Sequence, residues 1–264
     1  MDLELTGKRA VVTGGSRGIG LAVADQLAAE GAAVTLVARD KDVLEQAAAR
    51  VGRHGTTVLA RPTDTRDDAA VRAMVAEVVG TLGGVDILVN AAAEPAGGPV
   101  PPLAELSDDA LRSEMETKVL GYLRCARAVA PHMVAQGFGR IINVSGLNAR
   151  QTGSIVGSIR NVAVAAMTKN LADELGPSGI TVTAVHPGMT VTERLPQLLT
   201  GLAARDGVTE QDVAARFTAA TSIGRLITAE EVADVVTFLA SPRSVAISGD
   251  AIAVGGGSRG SIHY

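Results

Sequence analysis

Short apolar runs rich in β-branched residues alternate along this chain with longer stretches whose apolar positions recur at helical spacing. Residues 9–12 form the first run and lead into a glycine cluster, the pattern of a buried strand. Residues 21–30 carry apolar side chains at helical spacing and stop at Gly31, a helix C-cap. The rhythm continues with a strand at 33–37, a helix at 43–51, a strand at 57–60, a helix at 69–82 and a strand at 87–90. Strands at 140–144 and 180–185 each follow a long helical stretch, and a last strand falls at 252–254. This alternation predicts an α/β fold: one doubly wound parallel sheet with helices on both faces. Ligands in such sheets bind beyond the carboxyl ends of the strands, where their order reverses, so every informative loop falls on one rim. The Pro- and Gly-rich stretch 94–102 reads as a loop on that rim because the rhythm runs straight through it. Residues 1–264 are therefore expected to form a single domain.

Composition narrows the class. With 47% hydrophobic and 20% charged residues the chain has enough apolar surface for a large core, which excludes disorder. The longest apolar stretches, at 162–167 and 232–240, fall well short of the ~18–20 residues of a membrane span. The opening Met1-Asp2-Leu3-Glu4 lacks the basic-then-apolar pattern of a signal peptide. One cysteine, Cys125, allows neither an internal disulfide nor a zinc cluster, so no metal is expected and a reducing cytoplasm is the expected location. A net charge of −4, with no Trp, two Tyr and three Phe, leaves nothing to build a nucleic-acid groove. A small molecule is the expected partner.

The chemistry starts at Thr13-Gly14-Gly15-Ser16-Arg17-Gly18-Ile19-Gly20, directly between the first strand and the first helix. Glycines let the backbone turn tightly and approach a pyrophosphate, while the following helix offers free N–H groups and its positive dipole end. No Gly-Lys-Ser/Thr follows, which excludes a P-loop.

This Thr-Gly-x-x-x-Gly-x-Gly spelling resembles the short-chain dehydrogenase/reductase family, a Rossmann-type fold, and the likeness runs over almost the whole chain. Asp64, with Thr65 beside it, follows the third strand where the family contacts adenine. Asn90-Ala91-Ala92 resembles the family's Asn-Ala-Gly, which stabilises the sheet beside the adenosine ribose. Pro187-Gly188-Met189-Thr190-Val191-Thr192 resembles its Pro-Gly-x-x-x-Thr segment, which holds the nicotinamide end. The resemblance implies an NADP(H)- or NAD(H)-dependent oxidoreductase. In the family an acid at the end of the second strand selects NAD; here Ala38 stands there, with Arg39 beside it and Arg17 in the glycine loop. Two guanidinium groups can clamp a ribose 2′-phosphate, so NADP (NADPH) is expected over NAD. Asp40, one or two residues late for the ribose, is the competing reading.

The family's catalytic signature is not spelled here. The helix that should carry Tyr-x-x-x-Lys places Gly157 and Asn161 at those two positions, and no tyrosine occurs between Leu123 and His263. Either Ser145 or Gly146 stands at the family's Ser, depending on register. Lys118 replaces the family's Asn in Lys118-Val-Leu-Gly121. Lys118 is read as restoring a cation near the reacting oxygen, as electrostatic stabiliser or as proton donor; the competing reading makes it a surface or interface residue. The proposed catalytic set is Lys118, Ser145, Asn161 and Tyr122, the last one helical turn beyond Lys118. His186, Ser154, Ser158 and Glu94 are weaker candidates, and Arg160 reads as a helix-surface charge. The expected function is carbonyl–alcohol interconversion, or reduction of a polarised double bond, with a nonstandard proton relay. The alternative is a degenerate member that holds the nucleotide without turnover; methyl transfer from an S-adenosyl donor leaves Arg17 and Arg39 without a phosphate. Residues 193–226, with Leu198, Leu199, Leu202 and Phe217, read as an apolar mobile flap over a hydrophobic substrate. Ala- and Leu-rich faces around 110–136 and 154–176 predict a homo-oligomer, a tetramer or dimer.

Overall fold

The alternating apolar residues of each strand divide between the two faces of a single sheet. The computed structural model describes residues 1–93 and 100–260. The chain runs β1 (Arg9–Thr13), α1 (Gly18–Ala29), β2 (Ala33–Ala38), α2 (Lys41–Val51), β3 (Val58–Pro62), α3 (Asp68–Leu82) and β4 (Ile87–Asn90). Next come α4 (Asp108–Glu114), α5 (Gly121–Gln136), β5 (Gly139–Val144), α6 (Ile155–Leu175) and β6 (Ile180–Pro187). A short β7 (Thr190–Val191), α7 (Leu195–Asp206), α8 (Glu210–Ala219), a short β8 (Ile227–Thr228), α9 (Ala229–Ala240) and β9 (Ala251–Val254) complete it. The main sheet has seven strands in the order β3-β2-β1-β4-β5-β6-β9, with every pairing parallel.

Ala10, Val12, Ile87, Val89 and Ile142 pack with α1, α2 and α9 on one face, while Val11, Leu88 and Ile141 pack with α3, α5 and α6 on the other. Strands buried on both faces are what a parallel sheet requires. Among the described residues no helix is long and apolar enough to cross a membrane.

Three features depart from the periodicity. Helix α1 starts at Gly18, earlier than its apolar pattern shows, because the glycine loop itself supplies the first turn. The helical stretch expected over 110–136 is interrupted by a wide turn, Met115–Leu120, of π geometry, a local widening that often marks functional sites. The strands β7 and β8 form a separate two-residue parallel pair beside the main sheet, too short to register as an alternating pattern. Glu94 lies outside the described residues, as do residues 261–264 of the tail.

A buried polar chain fixes α6 against the sheet. The Asn90 side-chain amide donates to Asn143 Oδ1 at 3.0 Å, Asn143 Nδ2 donates to Thr168 Oγ1 at 3.0 Å, and the Thr168 hydroxyl donates to the Val164 carbonyl at 2.8 Å. Removing the middle link takes a buried partner from both Asn90 Nδ2 and Thr168 Oγ1, which keep only their bonds to the Tyr122 and Val164 carbonyls. Asn143→Ala is therefore expected to cost about 1–3 kcal/mol, at ~0.5–1.5 kcal/mol for each hydrogen bond lost, measured by urea unfolding.

Candidate active site

The glycine turn after β1 brings the backbone closer to its neighbours than any side chain allows. Gly14 has φ +67°, and a Cβ there would stand 2.7 Å from the Ala91 carbonyl oxygen; one on Gly20 would stand 2.3 Å from the Gly14 carbonyl oxygen. The Thr13 hydroxyl accepts from the Ala91 and Ala92 amides at 3.1 and 3.3 Å, locking the ends of β1 and β4 together. Arg17 caps α1 without a side-chain hydrogen bond, and no acid lies in the first turn. The first N–H groups of α1 thus face outward with no side-chain acceptor, which fits an anionic group such as a pyrophosphate.

Above this turn lies a cleft of about 580 Å³. Gly14, Ser16, Arg17, Gly18, Ile19 and Gly20 form its floor. Arg39, Asp64, Thr65 and Ala91 line it near the ends of β2, β3 and β4, and Pro187, Gly188, Thr190 and Thr192 line it beyond β6. Asn90 does not line it; fully buried, it acts through the sheet beneath. Arg17 and Arg39 are both exposed on the cleft. Asp40 also lines the cleft, but its carboxylate caps α2 by accepting from the Val43 amide at 3.2 Å. Asp64 is chelated by Arg66, which with Arg39 nearby holds its carboxyl below the usual range. Among the described residues no cluster of His, Cys, Asp and Glu could hold a metal.

The wall beyond β5 carries the titratable chemistry. Lys118 sits on the wide turn, 4% exposed, and its Nζ donates to the Ser145 carbonyl at 2.8 Å. Burial, then the Arg160 charge, lower its pKa from 10.5 to about 7, against a smaller opposing pull from Glu114. Lys118 and Ser145 both line the cleft, so the surface reading of Lys118 does not hold. The Ser145 hydroxyl donates to the Asn161 carbonyl at 3.2 Å. Of the two serine registers, Ser145 supplies a hydroxyl on the wall, whereas a Cβ on Gly146 would meet Asn161 Nδ2 at 2.9 Å.

Two expected catalytic groups stand back from the cleft. Tyr122 is 1% exposed, its hydroxyl donates to the Val144 carbonyl at 2.9 Å, and burial pushes its pKa upward. That places it as a packed, neutral phenol. Asn161 is buried with its Oδ1 unpartnered and reaches the cleft only through Ser145. His186 is buried in β6, and Ser154 caps α6 by accepting from the Gly157 amide. A Cβ on Gly157 would stand 2.8 Å from Asn148 Nδ2, so the asparagine side chain crowds the position.

Residues 8–201 match the short chain dehydrogenase family. The chain belongs to that family. As a short-chain dehydrogenase it is 36% identical over 249 residues to the short-chain reductase protein NovJ of Streptomyces niveus, covering 94% of this chain and 92% of that protein. L-Sorbose reductase from Gluconobacter frateurii, complexed with NADPH and L-sorbose, superposes at a TM-score of 0.91 with 32% identity over 99% of this chain and 100% of that one. NAD+-bound xylitol dehydrogenase superposes at 0.87 with 26% identity, over 96% and 100% of the two chains.

Sequence reasoning missed Thr117, which lines the cleft beside Lys118 with its buried hydroxyl unpartnered, and misread Arg160. Arg160 is no surface charge: it forms a largely buried ion pair with Glu114. Nothing local signals that pair, since its members lie 46 residues apart.

The buried lysine makes stability depend on pH. Its folded pKa lies below the unfolded value, so between about pH 7 and 10.5 the unfolded chain binds more protons, and stability rises with pH across that window. Below it the full burial penalty stands. Lys118→Met is expected to raise Tm, and to raise it more at low pH than at high pH, as read by thermal melts across that range.

Proposed function

We propose that this short-chain dehydrogenase is an NADP(H)-dependent oxidoreductase that interconverts a carbonyl and an alcohol on a small hydrophobic substrate, with Lys118 as its proton-carrying group. The observation that carries this reading is the Lys118 amine: it lines the cleft, is held by the Ser145 carbonyl, and titrates near neutrality. A group with a pKa near working pH both gives and takes protons efficiently. NADP(H), when bound, supplies or accepts the hydride. The glycine turn and the α1 N-terminus would hold its pyrophosphate, and the segment from Pro187 to Thr192 its nicotinamide end. Arg17 and Arg39 would grip the 2′-phosphate, a preference supported by β2 ending at Ala38 and by Asp40 being committed to α2.

The chain's own residues divide the remaining work. As an ammonium, Lys118 donates to the oxygen of a carbonyl being reduced; as an amine, it takes the proton of an alcohol being oxidised. The Ser145 hydroxyl, oriented by the Asn161 carbonyl, presents its lone pairs to the cleft. Tyr122 keeps its proton on the Val144 carbonyl and only packs. Met189, Leu195 and Leu198 give the cleft an apolar side, in keeping with a hydrophobic substrate under residues 193–226. Exposed Ile155, Ile159 and Val162 form a stripe along α6 that supports a homo-oligomer paired through that helix. The binding-only alternative draws no support from relatives named as reductases and dehydrogenases.

Three outcomes test this reading. Arg17→Ala and Arg39→Ala should each weaken NADPH binding by about 10–100-fold, the worth of a charge-assisted bond, and leave NADH nearly unchanged in fluorescence titrations. Lys118→Met should bind NADPH normally yet lose about 100-fold or more in single-turnover carbonyl reduction. In the unmodified protein that reduction should fall as pH rises through about 7, where Lys118 loses its proton, while alcohol oxidation rises. Turnover unchanged by Lys118→Met contradicts the reading.

A further inference from the structure

Beside the wide turn bearing Lys118, two oppositely charged side chains from separate helices pair with each other. Glu114 ends α4 immediately before the turn, and Arg160 lies on α6, next to Asn161. Helix α6 packs against both α4 and the wide turn. The Arg160 Nη1 and Glu114 Oε2 atoms are in direct ion-pair contact, with the two side chains only 12% and 22% exposed. Arg160 Nε is buried with no hydrogen-bond partner. Burying such a pair is costly and often contributes little to stability, so its retention beside a functional amine calls for another reason.

We propose that Arg160 and Glu114 are positioning residues that act through Lys118, their ion pair bridging α4 and α6 beside the turn that carries the amine. This rests on the reading of Lys118 as the proton-carrying group. Several other charged and titratable groups on the surrounding elements are engaged elsewhere, Arg112 of α4 with Asp108 and Asp109 among them, while the Cys125 thiol of α5 is buried and free. Glu116, on the same turn, pairs with Arg124 of α5 at 2.7 Å. Tyr122 of α5 donates to the Val144 carbonyl, and Asp64, across the cleft, is chelated by Arg66. Just beyond β5, the Ser145 carbonyl accepts from the amine. The directions agree with this geometry: the Arg160 charge lowers the Lys118 pKa and the Glu114 charge raises it. The pair also ties α4 to α6, so the wide turn between α4 and α5 keeps its place against Asn161 and Ser145 while the amine gains or loses its proton.

The chain has four lysines, Lys8, Lys41, Lys118 and Lys169, so NMR of protein labelled at the lysine Cε carbons resolves each titration, with Lys118→Met identifying its signal. Arg160→Gln should raise the proton affinity of Lys118 about tenfold, and Glu114→Gln should lower it by a smaller factor, about threefold or more. Arg160→Lys, which keeps the charge, should leave it near that of the unmodified protein. A merely structural pair would alter Tm in both neutral variants without splitting the titration in opposite directions. Shifts of the same sign, or both midpoints within about twofold of the unmodified affinity, overturn the proposal. Should Arg160→Gln fail to fold, Glu114→Gln decides alone: a lowered affinity supports the pair, and an unchanged or raised one refutes it. The NMR titration reads the amine with or without turnover. A reduction rate that ignores a shifted Lys118 therefore overturns the proton-relay reading alone.

Discussion

The connections leaving β1 and β4 turn to opposite faces of the sheet. The chain passes from β1 into α1 on one face, and from β4 toward α5 on the other. Two loops that diverge from adjacent strand ends leave a gap between them, and right-handed crossovers on a parallel sheet make that gap unavoidable. The contact holding the gap in shape is backbone against backbone, where Gly14 lies so near Ala91 that a side chain has no room. The outward-facing N–H groups of α1, the cleft above them and the placing of β5 as its far wall all depend on that seam.

The far wall carries a buried titratable amine. A lysine buried on the wide turn bonds a main-chain carbonyl, and among the described residues no carboxylate lies within ion-pair reach of its Nζ. Desolvation therefore dominates its titration and brings it near neutrality. The same burial that brings the amine near neutrality also lowers stability. Tyr122 shows the contrast: one helical turn away and equally buried, it has a good acceptor and a phenol whose pKa burial raises, so it stays inert.

Much of this was legible in the sequence, and the boundary has a physical cause. The strands of the main sheet and the glycine turn are local patterns, and residues such as Gly14, Arg39 and Pro187 reach the cleft because the fold carries every strand end to one rim. Lys118 and Ser145 were legible for the same reason. The sheet-stabilising place of Asn90 was legible too, but its standing back from the cleft and that of Tyr122 were not, because which way a side chain points at the base of a cleft is decided by packing partners far along the chain. Arg160 was misread on the same ground: its partner Glu114 is brought close only by the packing of α6 on α4. The wide turn was hidden because its apolar positions still follow an approximately helical period.

The central claim is that the Lys118 amine meets the reacting oxygen. The most direct measurement is a crystal structure of the complex with oxidised NADP and an alcohol substrate. The account places the substrate oxygen within about 3 Å of Lys118 Nζ, at hydrogen-bond distance, on the side of the cleft facing Ser145. A substrate oxygen bound to some other group, with Lys118 still held by the Ser145 carbonyl alone, would contradict it.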